Sequence, residues 1–202
     1  MKLYYTPGAC SLASHIALYE TGLSFEAVQV EGRESKTAGT ENYADVTSKG
    51  YVPALRLDDG SVLTESTAIL PYIGDLKPSH QLSPVAGTMA RYRMHEWLGY
   101  INSELHKNFG PFFSPGVTEE QKSTAKVNLG RRFDFIQHQL TGIKYLVDDK
   151  FTVADCYLFT VLGWCNYIQV DLGQWPGLKA YYSLIVTRPT VQAAMKAEGL
   201  IK

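Results

Sequence analysis

The chain has 202 residues, 45% of them hydrophobic and 19% charged, with a formal net charge of −1. That length suits one large domain or two small ones, and either can bury a sizeable core. Near-neutral charge, with no basic run interleaved with aromatics, argues against a polyanion partner such as nucleic acid.

Leu3-Tyr4-Tyr5 reads as a short strand stopped by Thr6-Pro7-Gly8. From Cys10 the pattern turns helical: Leu12, Ile16 and Tyr19 share a face, and Gly22 suits the position just past a helix end. Phe25 to Val30 reads as a second strand, which makes the opening a βαβ unit. Glu31 to Lys49 is polar and aperiodic, so an irregular or weakly helical segment is expected. Tyr51 to Leu57 and Ser61 to Thr64 read as two strands joined by Asp58-Asp59-Gly60, a strong hairpin signal. Ile69, Tyr72, Ile73 and Leu76 mark a helix beginning near Ser66, with Pro71 tolerable only near its first turn. The first eighty residues therefore read βαβ-ββα.

Lys77 to Gly87, with two prolines, two serines and a glycine, is the best linker in the chain. The expected division is an α/β domain over 1–78, a linker over 79–87 and an all-helical domain over 88–202. Ala90, Met94, Trp97, Leu98, Ile101 and Leu105 follow helical spacing over about four turns. Thr118 and Gln121 form a capping box before a stripe of Leu129, Phe133, Ile136 and Leu140. Thr152 and Asp155 form another, opening a helix that is apolar nearly all round and therefore buried. Pro176 and Pro189 suit the first turns of two final helices.

The N-terminus is too short an apolar stretch for a secretory signal, and the run from Tyr157 to Cys165 is too short to span a bilayer. Three cysteines, Cys10, Cys156 and Cys165, are an odd number without framework spacing. They read as free thiols in a reducing compartment, and a soluble cytoplasmic protein is expected.

Cys10 opens a helix at the exit of the first strand of a βαβ unit, which is where α/β folds place ligands. Helix N–H groups and the dipole there should lower its pKa, whereas Cys156 and Cys165 are assigned to packing. Position 13 is Ala13, so the second thiol of a dithiol oxidoreductase is missing. Val52-Pro53 is ordinarily a proline at a strand start. Its sharper reading is a cis bond that turns the Val52 main chain toward a peptide ligand. Ser66 is explained as an N-cap, yet a helix N-terminus also binds anions, and Glu65 beside it could hold an ammonium. A ligand with α-amino and α-carboxylate groups would satisfy both. His106 follows the long helix, while His15, His80, His95 and His138 are read as ordinary structural histidines. His95-Glu96 lacks the second histidine of a zinc-protease motif, since position 99 is Gly99. No phosphate loop, dinucleotide glycine fingerprint or Cys/His metal cluster is present in the sequence.

These residues resemble the bacterial beta-class, cysteine-type glutathione transferases. The likeness lies in Met1 to His15, in Lys49-Gly50-Tyr51-Val52-Pro53-Ala54-Leu55, in Leu63-Thr64-Glu65-Ser66 and in Trp97 to Lys107. Phe151-Thr152-Val153-Ala154-Asp155 resembles the capping motif of the wider superfamily's buried helix. The resemblance covers nearly the whole chain and implies a thioredoxin-like N-terminal domain, an all-α C-terminal domain and a homodimer. It implies that Val52 pairs through its backbone with the cysteinyl part of glutathione, that Glu65 and Ser66 hold the γ-glutamyl end, and that Cys10 lies beside the glutathione sulfur. It further implies that His106 reaches that sulfur and that Ser103 and Glu104 line the inter-domain cleft or dimer interface. Tyr5 and Ser11 occupy places where other classes carry their activating hydroxyl. Tyr51 and Pro53 flank the Val52 contact, and Lys36 is the candidate for the glycyl carboxylate. The sequence departs from the family pattern at Gly99 and at Thr47-Ser48, where asparagine, and asparagine with proline, are usual.

The function so implied is conjugation of the glutathione thiolate to a small hydrophobic electrophile, with glutathione as co-substrate, no metal, and an electrophile pocket in the inter-domain cleft. Two rivals are a glutathione-dependent thiol reductase working through a Cys10 mixed disulfide, and a non-enzymatic binding or regulatory protein of the same fold.

Overall fold

The computed structural model describes residues 1–31 and 42–202. In chain order the elements are β1 (Lys2–Tyr5), α1 (Ser11–Thr21), β2 (Glu26–Gln29), α2 (Tyr43–Val46), β3 (Ala54–Arg56), β4 (Val62–Thr64), α3 (Ser66–Leu76) and α4 (Met89–Tyr100). A π-helical turn over Ile101–His106 follows, then α5 (Lys107–Phe113), α6 (Glu119–Gln139), α7 (Val153–Gly163), α8 (Pro176–Val186) and α9 (Pro189–Ala197). They gather into two compact units, Met1–Ser83 with Thr187–Lys202, and Pro84–Val186.

The first unit is built on a mixed sheet of order β2-β1-β3-β4. β1 and β2 are parallel because α1 carries the chain across between them. β1 pairs antiparallel with β3, which turns back into β4. Leu3 and Tyr4, inside the sheet, are fully buried. Gly22 adopts a left-handed φ of 62° and closes α1, its N–H bonding the Tyr19 carbonyl. In the hairpin Asp59 accepts from the Ser61 N–H and hydroxyl, and Gly60 takes φ 86°. β3 begins only at Ala54, three residues later than expected, because Pro53 has no N–H to give to a ladder. Pro71 lies in the second turn of α3 rather than the first, so the helix runs on without one internal bond.

The helical domain expected over 88–202 needs correction at its end. Thr187–Lys202, including α9, belongs to the first unit, where α9 packs on α1. Arg188 explains this locally, since its guanidinium grips Glu20 of α1 through two bonds of 2.8 and 2.9 Å.

In the second unit both capping boxes form, Thr118 with Gln121 and Thr152 with Asp155. The stripe Met94, Leu98, Ile101, Leu105 and Phe109 is buried and continues from α4 through the π turn into α5. On α6, Leu129, Phe133 and Ile136 are buried, as is Leu140 just past its C-terminus. Every residue of α7 from Val153 to Leu162 is buried, as expected of a helix apolar nearly all round. Cys156 and Cys165 are core residues. Among the described residues no helix is long and apolar enough to cross a membrane.

Candidate functional site

Cys10 ends the loop that leaves β1 and precedes α1. Ser11 braces this loop, since its hydroxyl accepts from the Thr6 N–H at 3.2 Å and lies 3.3 Å from the Thr6 carbonyl. The Gly8 N–H donates to the Glu198 carboxylate at 2.8 Å. The Cys10 thiol donates to the Val52 carbonyl at 3.3 Å, next to the Val52–Pro53 peptide, which is cis. One expectation fails here. Burial pushes the Cys10 thiol up to about 11, overriding the Cys10 and Ser11 backbone N–H groups and the Ser66 side chain, which pull it down. The position at a helix start is as expected, but desolvation and the nearby Glu65 carboxylate penalise the anion more than the helix end favours it.

Glu65 sits where strand turns into helix, with a left-handed φ of 74° that is uncommon for a side chain of this kind. It, not Ser66, occupies the cap position; Ser66 is the first helical residue and is buried. The Lys49 ammonium bonds the Glu65 carboxylate at 2.6 Å and the Tyr51 hydroxyl donates to it at 3.0 Å. Lys49 first, then Tyr51, holds the Glu65 carboxyl below the usual carboxylate range. Tyr43 donates its hydroxyl to the Tyr51 carbonyl, which fixes the segment leading to Val52. Lys49 was not singled out in the sequence. Its signal is a cation placed ahead of Tyr51 that can meet a carboxylate after the hairpin. Lys36 lies outside the described residues.

No bond joins the Tyr5 or Ser11 hydroxyl to the Cys10 thiol, which Ser11 reaches only through its backbone N–H. The Tyr5 ring packs on His15 at 5.3 Å, and burial pushes its hydroxyl up. On the second unit, His106 ends the π turn and is half-buried. Its Nδ1 lies 2.7 Å from the Tyr157 hydroxyl, and its ring meets Trp164 edge-on at 4.7 Å. Burial holds the imidazole below its usual range. The Glu104 carboxylate, expected along a cleft or interface, is engaged by Arg132 of α6 at 2.8 Å, and Ser103 is exposed beside it.

The mixed four-stranded sheet, the cysteine after its first strand and the all-helical second unit together define the glutathione transferase fold. Models of the glutathione S-transferase N-terminal and C-terminal domains match residues 8–76 and 98–189. The Escherichia coli O157:H7 protein glutathione S-transferase GstA is 42% identical over 99% of this chain and 100% of its own length. A bacterial beta-class glutathione S-transferase from Sphingomonas chungbukensis is 44% identical, covers 100% of both chains and superposes with a TM-score of 0.96. A sphingomonad glutathione S-transferase solved with glutathione is 45% identical over 100% of both chains, with a TM-score of 0.94. The chain belongs to the glutathione S-transferase family and within it to the bacterial beta class.

Proposed function

We propose that the protein transfers the glutathione thiolate to small hydrophobic electrophiles, as a cytoplasmic homodimer. The observation that carries this is the grouping on the first unit of the Cys10 thiol, the Val52 main chain, the Glu65 carboxylate and Ser66 at a helix start. These groups match in turn the thiol, the peptide, the ammonium and the α-carboxylate of glutathione. Family membership and the sphingomonad relative's glutathione complex support the same ligand. Lys49 would be displaced from Glu65, or share it, when the ammonium arrives.

A thiol pushed up by burial is overwhelmingly protonated at neutral pH. That favours glutathione as the attacking sulfur over Cys10, and conjugation over thiol exchange. His106 is the proposed proton-handling group on the helical unit.

Ser66→Ala should weaken glutathione binding by about 1.5–3 kcal/mol, the worth of a hydrogen bond to a charged group, read as a calorimetric Kd. Folding should be little affected, because Ser66 is not the cap. An unchanged Kd in the folded variant refutes the assignment. The dimer rests on Met89 and Tyr92 of α4, which are 70% and 60% exposed three positions apart. Trp97 and Tyr100 of the same helix pack against Phe135 within the unit. Light scattering at micromolar protein should give twice the chain mass; a monomer mass ends that part of the proposal.

A further inference from the structure

We propose that Tyr157 and Asn102 are positioning residues that hold His106 in the neutral tautomer with its proton on Nδ1, so that Nε2 accepts a thiol proton rather than donating a hydrogen bond. The inference deepens the transferase reading and rests on it for the identity of the thiol.

The geometry lies wholly within the helical unit. Asn102 and His106 stand four residues apart on the π turn, and Tyr157 comes to both from α7. The Tyr157 hydroxyl donates to Asn102 Oδ1 at 3.1 Å and lies 2.7 Å from His106 Nδ1. A phenol has one proton. With that proton given to Asn102, the phenol oxygen offers His106 only a lone pair, so Nδ1 must be the donor. The reverse arrangement would set the Asn102 carbonyl oxygen against the phenol's lone pairs. A neutral imidazole carries one N–H, and burial favours the neutral form here. Nε2 is therefore left with its lone pair, and no described residue bonds it. Trp164, edge-on to the ring, limits its rotation. The free side chain leans the other way, toward the Nε2–H form, so the relay reverses an intrinsic preference.

In the reaction the S–H bond of glutathione breaks and its proton forms a bond to Nε2. The sulfur keeps the electron pair. The thiolate then bonds the electrophilic carbon of an aryl or alkyl halide as halide leaves with its pair. The imidazolium keeps its Nδ1–H on Tyr157 and returns the Nε2 proton to water.

Histidine-labelled protein settles the tautomer by two-bond ¹H–¹⁵N correlation at alkaline pH, with His106 identified by its loss in His106→Gln. The expected result is a protonated Nδ1 and an unprotonated Nε2. Tyr157→Phe and Asn102→Leu should both move the signal toward Nε2–H, while Asn102→Asp, which keeps the acceptor, should retain Nδ1–H. In conjugation assays Tyr157→Phe should lower kcat about tenfold to a hundredfold with the glutathione KM nearly unchanged, in line with a misplaced general base. An Nε2–H wild-type signal, or a tautomer indifferent to both Tyr157→Phe and Asn102→Leu, overturns the proposal. A wild-type protein with the Nδ1–H signal and no conjugation would instead overturn the transferase reading.

Discussion

Replacing Glu198 with alanine should cost about 2–5 kcal/mol of stability, from two donors losing their carboxylate acceptor at about 1–3 kcal/mol each. Glu198 lies just beyond α9 and is only 6% exposed. One carboxylate oxygen accepts the Gly8 N–H at 2.8 Å, and the other meets His15 Nδ1 at 2.9 Å. His15 is fully buried among Tyr5, Tyr19 and Phe25, so no water can replace the carboxylate there. Among the described residues the His15 Nε2 has no partner, and Glu198→Ala would remove the acceptor that Nδ1 and the Gly8 N–H now share. Gly8 lies two residues before Cys10, so the variant should also bind glutathione more weakly. Glu198→Gln, which keeps one acceptor, should lose less. Urea unfolding measures the first effect and calorimetry the second. A stability loss below about 1 kcal/mol in Glu198→Ala would show that the first unit does not depend on this contact.

Asp155→Ala should be comparably damaging, and the wild-type residue should give the protein an unusual acid-range slope. Asp155 is fully buried. It accepts from the Leu146 N–H at 3.0 Å, the Thr152 N–H at 2.8 Å, the Thr152 hydroxyl at 3.1 Å and the Tyr181 hydroxyl at 2.9 Å. Alanine removes the reciprocal half of the capping box, at about 1 kcal/mol, and leaves buried donors unmet at about 1–3 kcal/mol each, not fully additive. A total of about 3–5 kcal/mol follows.

Burial pushes the Asp155 carboxyl up to about 6, above the ordinary 3.8, against the pull of those donors. The folded chain therefore holds this proton more tightly than the unfolded chain. The stability it contributes is full below the unfolded value and is lost as pH rises through about 6. The ceiling is about 3 kcal/mol, from a gap of roughly two pKa units. Asp155→Asn cannot titrate and should lack this contribution. The wild-type stability relative to Asp155→Asn should therefore decline between about pH 4 and pH 6 and level off above. A difference that stays flat across that window would mean the carboxylate is as well solvated by its donors as it is by water.

The elements most legible in the sequence are those governed by chemistry within a few residues. Thr118 with Gln121 and Thr152 with Asp155 satisfy orphan N–H groups three positions away, so the pattern and the structure coincide. Gly22, Asp59-Gly60, Pro176 and Pro189 likewise state a backbone conformation by themselves. The family motifs drew attention to Cys10, Val52, Glu65 and Ser66, and these stand together on the first unit.

What stayed hidden depends on partners far apart in the chain or on exclusion of water. Glu198 meets His15 across 183 positions, which is why α9 joins the first unit and why His15 is more than an ordinary core histidine. Lys49 meets Glu65 across the hairpin, and Tyr157 meets His106 from a different helix. The π turn shares its apolar spacing with the helices on either side, so periodicity alone could not reveal it. The sequence of Cys10 announces a helix start, which lowers a thiol's pKa, but only the packed structure shows how much water is removed from the sulfur. Here that desolvation outweighs the helix start, because the cost of an unsolvated anion rises with burial while the pull of the backbone N–H groups stays modest.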